Sequence, residues 1–300
     1  MSIGSIYVKY RQKYKHGVKA VWYRDVVRPK ILHTKPFPNT TSYQCEIHTL
    51  TSEDDYLNLI WTLKSFYYYS KCQYALCIHS DGTLLDNSIT ILKIHFPNAR
   101  IILKENADKE IAQALSGYPK SLAFRQSNHL APKVFDFKYF LRAERMLLMD
   151  SDILFFSLPI ELINRIENPV YHKNTVNRDV LYGYTVPLEE TQRQLDFEWI
   201  PYFNSGLGLI HKESINFDWI EDFLSIPNIV GHFWRIEQTL FSLCSSKFGV
   251  ELLPKEYDVQ LKAGITGLPS RHYVGRIRHL MYTEGIRQLQ RQKFLESISQ

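Results

Sequence analysis

At 300 residues the chain is within reach of one large α/β domain, and with 45% hydrophobic and 22% charged residues it is neither collagen-like nor low-complexity. Its net charge of +5 is unevenly placed: residues 1–42 hold nine Lys/Arg against one Asp, residues 261–300 hold seven against two acids, and the stretch between them is acidic. That split argues against a nucleic-acid protein with one broad basic face. It leaves a basic arm that could meet an anionic membrane or an acidic polymer, or lie in solvent as a plain basic tail.

The first 42 residues are basic and Tyr-rich without a clear period, and Pro36-Phe37-Pro38-Asn39 closes them as a turn, so an N-terminal extension is set at 1–42. Cys45 to Leu50 is predicted as a strand, and Asp54 to Tyr69 as a helix behind an acidic first turn. Tyr74 to Ile78 gives a second strand, Ile89 to Phe96 a short helix, Arg100 to Leu103 a third strand, and Leu122 to Leu141 a helical region. Arg145 to Met149 gives a fourth strand whose apolar run leads into Asp150. Beyond Asp152 the rhythm is less regular, with a strand at Gly206 to Ile210, helices near Phe217 to Leu224 and Glu237 to Ser246, and a strand near Val250 to Leu253. Strands separated by helices imply a mostly parallel central sheet flanked by helices, with ligands beyond the carboxyl ends of the strands. The polar loops beginning at Thr51, Ser80 and Asp150 should converge there.

Cys45, Cys72, Cys77 and Cys244 form no Cys-x-x-Cys pair, so neither a disulfide framework nor a structural zinc site is signalled and a reducing cytoplasm is expected. Met1 to Gly17 lacks a secretory apolar region, and no stretch approaches the roughly 18–20 apolar residues that span a bilayer. The expectation is a soluble protein, or one held to a membrane only at its surface.

Asp150-Ser151-Asp152 puts two carboxylates directly after an apolar strand, at a sheet edge where unpaired charge is costly. A hard divalent cation, Mg²⁺ or Mn²⁺, would resolve that cost and could also hold phosphate oxygens. The other reading of an isolated Asp-x-Asp is an acidic loop or a helix cap.

Five segments, in order, carry a family resemblance. His48-Thr49-Leu50-Thr51-Ser52-Glu53-Asp54-Asp55-Tyr56 resembles the first strand and loop of the glycogenin-like enzymes, family 8 of the glycosyltransferases. Leu147 to Leu154 resembles their metal motif, Phe203-Asn204-Ser205-Gly206-Leu207 their donor-sugar loop, and Glu237-Gln238 stands where they usually carry Asp-Gln. His272-Tyr273-Val274-Gly275-Arg276-Ile277-Arg278 is similar to their His-Phe-x-Gly-x-x-Lys, with Arg for Lys and with His279 where Pro is usual.

The resemblance implies a GT-A type nucleotide-diphospho-sugar transferase domain over 43–285, followed by a tail at 286–300. It implies a Mn²⁺ or Mg²⁺ ion on Asp150, Asp152 and a third ligand, either His272 or His279. Leu50, Thr51, Tyr56, Lys133, Ser151, Asn204, Ser205, Gly275 and Arg278 would bind the donor, a UDP-sugar in this family. Glu237 or Gln238 would sit beneath the sugar, and transfer to a saccharide, lipid-linked or protein acceptor would retain configuration. Each residue also has a plain structural reading: Tyr56 as a core aromatic, Lys133 as a lysine reaching solvent, Asn204-Ser205-Gly206 as a turn, and Glu237 as a first-turn acid.

Two other functions compete. A nucleotide-sugar or polysaccharide binder without activity could use the same fold. Ser80-Asp81-Gly82-Thr83 imitates the opening of the haloacid dehalogenase-like phosphatases, but His79 stands where their carboxylate nucleophile is required.

Overall fold

The computed structural model describes residues 8, 11–38, 40 and 44–299. Four strands form where the apolar runs predict them: β1 (Glu46–Thr51), β2 (Ala75–Ser80), β3 (Arg100–Ile102) and β4 (Arg145–Met149). Five more follow: β5 (Ile153–Phe155), β6 (Asn174–Arg178), β7 (Phe203–His211), β8 (Val250–Leu252) and β9 (Ser270–His272). Seven of them make one sheet in the order β3-β2-β1-β4-β7-β6-β8, and β5 pairs with β9 in a separate two-stranded ladder. In the large sheet β3, β2, β1 and β4 are parallel neighbours, β7 runs antiparallel to both β4 and β6, and β8 is parallel to β6.

The sheet is buried on both faces, so its strands read as continuous apolar runs while their side chains still alternate. In β4, Leu147 and Met149 enter one core cluster, and Met146 and Leu148 enter the other. The helix Tyr56–Ser70 packs in the first cluster and the helix Ile236–Phe248 in the second.

Three local differences from the sequence-based expectation have physical causes. The helical region predicted over Leu122 to Leu141 is two helices, Pro119–Ser127 and Ala131–Phe140, with Pro132 in the first turn of the second. Pro132 has no N–H to continue a helix and favours a helix start. A further helix, Lys104–Ala114, follows β3 directly. The described parts of 1–42 and 286–300, set apart in the sequence by charge, are not set apart in packing. Val27, Ile31, Leu289, Phe294 and Ile298 are all buried in the first cluster. The turn expected at Pro36 to Asn39 falls partly outside the described residues, as does most of the segment before Arg11.

Candidate functional site

The reversal of one strand builds the site. Because β7 is antiparallel to β4, its first residues lie beside the carboxyl end of β4, where the Asp150 N–H donates to Gly206 O at 2.8 Å. Asn204 and Ser205 therefore stand at the same rim as Asp150. The third component arrives through the small ladder, in which Ile153 of β5 faces His272 of β9 and the Tyr273 N–H donates to Asp152 O at 2.9 Å. Residues over a hundred positions apart are thus held by backbone pairing. Arg271, next to His272, anchors this ladder by donating to the carbonyls of Gln260 and Lys262 at 3.1 and 2.6 Å and by pairing with Glu284 at 2.6 Å.

Asp150, Asp152 and His272 each offer a ligand atom, and these atoms lie within 4.8 Å of one another. His272 Nε2 is 3.1 Å from Asp152 Oδ1 and 3.7 Å from Asp150 Oδ2. On the other side of the ring, Nδ1 lies 3.0 Å from Asn204 Oδ1, an acceptor, so Nδ1 carries the proton and Nε2 faces the carboxylates. Asn204 Oδ1 also accepts from the Gly206 N–H at 3.0 Å, and its amide donates to Asp179 Oδ2 at 3.1 Å. A Cβ at Gly206 would lie 2.1 Å from His272 Cε1, so only glycine lets the imidazole approach.

Charge at this rim is balanced tightly. Burial would raise the Asp152 carboxyl, but His272 and Arg278 outweigh it and hold the group well below the carboxylate range. His272 is pulled the opposite way: burial would lower it, and Asp152 with Asp150 raises it above the ordinary imidazole value. A cation seated among the three would take the place of that proton. Two hard carboxylates and one correctly presented imidazole nitrogen fit Mn²⁺ or Mg²⁺.

Two basic residues flank the group. Arg278 donates to Asp152 Oδ2 at 2.8 Å and pairs with Asp55 at 3.0 Å, its side chain 40% exposed and so still open to the cleft. Lys133 is buried rather than reaching solvent, with Nζ 2.9 Å from Asp150 Oδ1, 3.0 Å from Glu237 Oε1 and 3.0 Å from Ser205 O. Burial opposes its charge, yet Asp150 and Glu237 raise it above the ordinary lysine value, so it stays protonated. Glu237 accepts from Ser205 Oγ at 3.0 Å. Gln238 accepts from the Ser205 N–H at 3.3 Å and reaches Gly183 O, also at 3.3 Å.

These groups line one cleft of about 520 Å³. Of the residues expected from the sequence, Leu50, Thr51, Lys133, Asp150, Ser151, Asp152, Asn204, Ser205, Glu237, Gln238, His272, Gly275 and Arg278 line it. A Cβ at Gly275 would meet nothing within 4 Å, so that backbone borders open space. Two of the residues named from the sequence stand elsewhere. Tyr56 is not among the lining residues; it opens the helix Tyr56–Ser70 and packs half-buried against the core. His279 stacks on His16 at 3.9 Å and lies outside the ligand group, so His272 is the third ligand candidate.

The lining also includes Asp81, in the polar loop after Ser80 expected at this rim, together with Asp55, Asp179, His129 and Trp234, which sequence reasoning did not single out as ligand-binding residues. Asp81 had a signal, since it follows β2 at the rim. His79, where a phosphatase nucleophile would stand, is buried against Phe137, its Nε2 3.0 Å from His48 Nδ1. His48, Cys77 and His79 form a second group of ligating side chains, wholly buried between β1 and β2 and outside the cleft lining.

No protein-family model matches the chain, and no curated protein matches its sequence. Solved structures do match. The galactosyltransferase LgtC, in complex with donor and acceptor sugar analogs, superposes with a TM-score of 0.55 at 12% identity, over 85% of this chain and 96% of that one. Mouse xyloside xylosyltransferase 1, in its apo form, gives a TM-score of 0.51 at 13% identity, over 78% of this chain and 98% of that one. At such identity the likeness establishes the fold: a GT-A type α/β domain with a mostly parallel central sheet.

Proposed function

We propose that this chain is a metal-dependent glycosyltransferase that moves a hexose-type sugar from a UDP-sugar to an acceptor hydroxyl with retention of configuration. The observation that carries the proposal is the convergence of Asp150, Asp152 and His272 at the carboxyl rim of the sheet, beside two fixed cations. A bound Mn²⁺ or Mg²⁺ would hold the donor diphosphate and offset the charge that builds on it as it leaves. Arg278, anchored by Asp55 and Asp152, supplies a fork-shaped donor toward phosphate oxygens on the open side. Lys133 holds Asp150 and the Ser205 carbonyl in place. Asn204 fixes the tautomer of His272, so its part is to orient a ligand rather than only to meet a sugar hydroxyl. Gln238, positioned by Asp179 and Gly183, presents an amide beneath the sugar position while Glu237 remains paired with Lys133. Much of the catalysis is then electrostatic. A reducing, cytoplasmic location belongs to the same proposal, on the four free cysteines.

Calorimetric titration with UDP, with and without Mn²⁺, followed by assay of UDP-sugar hydrolysis, tests this reading. Tight binding should require the metal, and Asp152→Asn should abolish hydrolysis while the circular dichroism spectrum is unchanged. Equal UDP affinity in chelator, or wild-type hydrolysis by Asp152→Asn, would remove the metal mechanism. Metal-dependent binding without turnover of any UDP-, GDP- or dTDP-sugar would leave a binding protein.

A further inference from the structure

The segment before the sheet is a firmly seated helix with one face bare. From Gly17 to His33 the chain runs as α-helix, then a π turn, then 3₁₀-helix, without a break. Its inner face buries Ala20, Val21, Val27 and Ile31. The Arg28 carbonyl accepts from Trp61 Nε1 at 2.9 Å, Arg28 lies over the Tyr282 ring at 5.5 Å, and His16 stacks on His279. The outer face carries Val18, Trp22 and Val26, at 73%, 54% and 40% exposure, spaced four apart and so on one stripe. Arg11, Lys15, Lys19 and Lys30 are exposed around it. The one acid of the segment, Asp25, is taken up by Lys13 at 3.0 Å and Arg24 at 2.7 Å.

An exposed Trp between two exposed Val residues wants an apolar phase, and the surrounding cations want anions. Nucleic acid would satisfy the charges and leave the stripe in water. A lipid bilayer with anionic headgroups satisfies both, since Trp favours the headgroup boundary and lysine stems extend back to the surface. Three apolar side chains on one short stripe bind weakly alone, so the basic residues are a required second contribution. No helix among the described residues is long and apolar enough to cross a membrane. We infer that the Val18-Trp22-Val26 stripe is a docking surface for an anionic membrane, held ready by the fold rather than ordered on contact. The inference does not depend on the proposed reaction.

The test is flotation of the full chain with phosphatidylcholine vesicles, with and without phosphatidylglycerol, at low and high salt. The wild-type protein should float only with the anionic vesicles and be released by salt. The double variant Val18→Ser/Trp22→Ser should lower the partition coefficient about tenfold or more, and so should Lys15→Gln/Lys19→Gln. Trp22→Phe should stay close to wild type, and all variants should melt with the parent because the altered side chains are exposed. Absence of wild-type flotation, equal flotation with neutral vesicles, or wild-type partition by Val18→Ser/Trp22→Ser would each overturn the inference. A wild-type dimer that Trp22→Ser dissociates, with no vesicle binding, would assign the stripe to a second copy of the chain.

Discussion

Asn204 shows how a short side chain can set the orientation of a neighbouring imidazole. Its carbonyl receives both the Gly206 N–H and the inner nitrogen of His272, and its amide is held by Asp179. Replacing it with Ala frees the imidazole to rotate and to change tautomer, so Asn204→Ala should weaken Mn²⁺ binding about 10- to 100-fold. Titration calorimetry with Mn²⁺ measures this directly, and an unchanged affinity would mean that Asn204 does not orient the ligand. At this scale the sequence was legible where chemistry and position coincide: Asp150 and Asp152 close an apolar strand. It could not decide between His272 and His279, because that choice depends on the β5–β9 ladder, whose strands are three residues each. Asp179 was missed for a related reason. It follows Asn174-Thr175-Val176-Asn177-Arg178, a buried strand with polar residues whose Asn174 amide is satisfied by Ser214 and Ser245 at 2.8 and 2.9 Å. A buried strand built of polar residues gives no apolar pattern to read.

Strands also carry charge that binds elements together. Glu46 opens β1, fully buried, yet its carboxylate accepts from Arg100 of β3 at 2.7 Å and from the Arg142 N–H before β4 at 2.9 Å, with His48 Nε2 at 3.2 Å. Burial would raise its pKa, but these partners outweigh it and bring the group from 4.5 down to about 2. A carboxyl depressed in the folded state adds stability that is fully present above its unfolded value and is lost as pH falls toward the folded one. The window for Glu46 is therefore between 4.5 and about 2, and the contribution at stake is roughly 3 kcal/mol. Urea unfolding at stepped pH should show wild type losing this increment across the window. Glu46→Gln should start less stable near neutrality and lose correspondingly less. Parallel pH profiles for the two proteins would show that Glu46 is not a stabilising tie. That β1, β2 and β4 were legible while this tie was not follows from the same geometry: burial on both faces writes an apolar run into each strand, whereas Arg100 meets Glu46 only across the intervening β2.

For the molecule as a whole, the charge boundary at residue 42 invites the idea that the N-terminal segment can be removed. The packing predicts otherwise. Val27 and Ile31 are at 2% and 0% exposure in the core shared with β1 and β4, and burial of each such side chain is worth about 1.5–3 kcal/mol. Deletion also strips acceptors from groups that stay behind. Trp61 Nε1 loses the Arg28 carbonyl, and Lys64, buried and lowered by that burial to about 7, loses Thr34 Oγ1 and the Lys35 carbonyl, both at 2.6 Å. Each unpaired buried donor costs a further 1–3 kcal/mol, roughly. These losses are comparable with the whole stability of a domain, about 5–15 kcal/mol. A chain lacking residues 1–40 should therefore be largely unfolded or aggregated, even though the candidate site at the sheet rim lies wholly beyond residue 40. Thermal unfolding followed by circular dichroism decides it: a truncated chain melting within a few degrees of the full one would show that the helix is an appendage. The surface variants Val18→Ser/Trp22→Ser separate the two roles of the segment, because they alter its outer face and leave Val27, Ile31 and the Lys64 contacts in place.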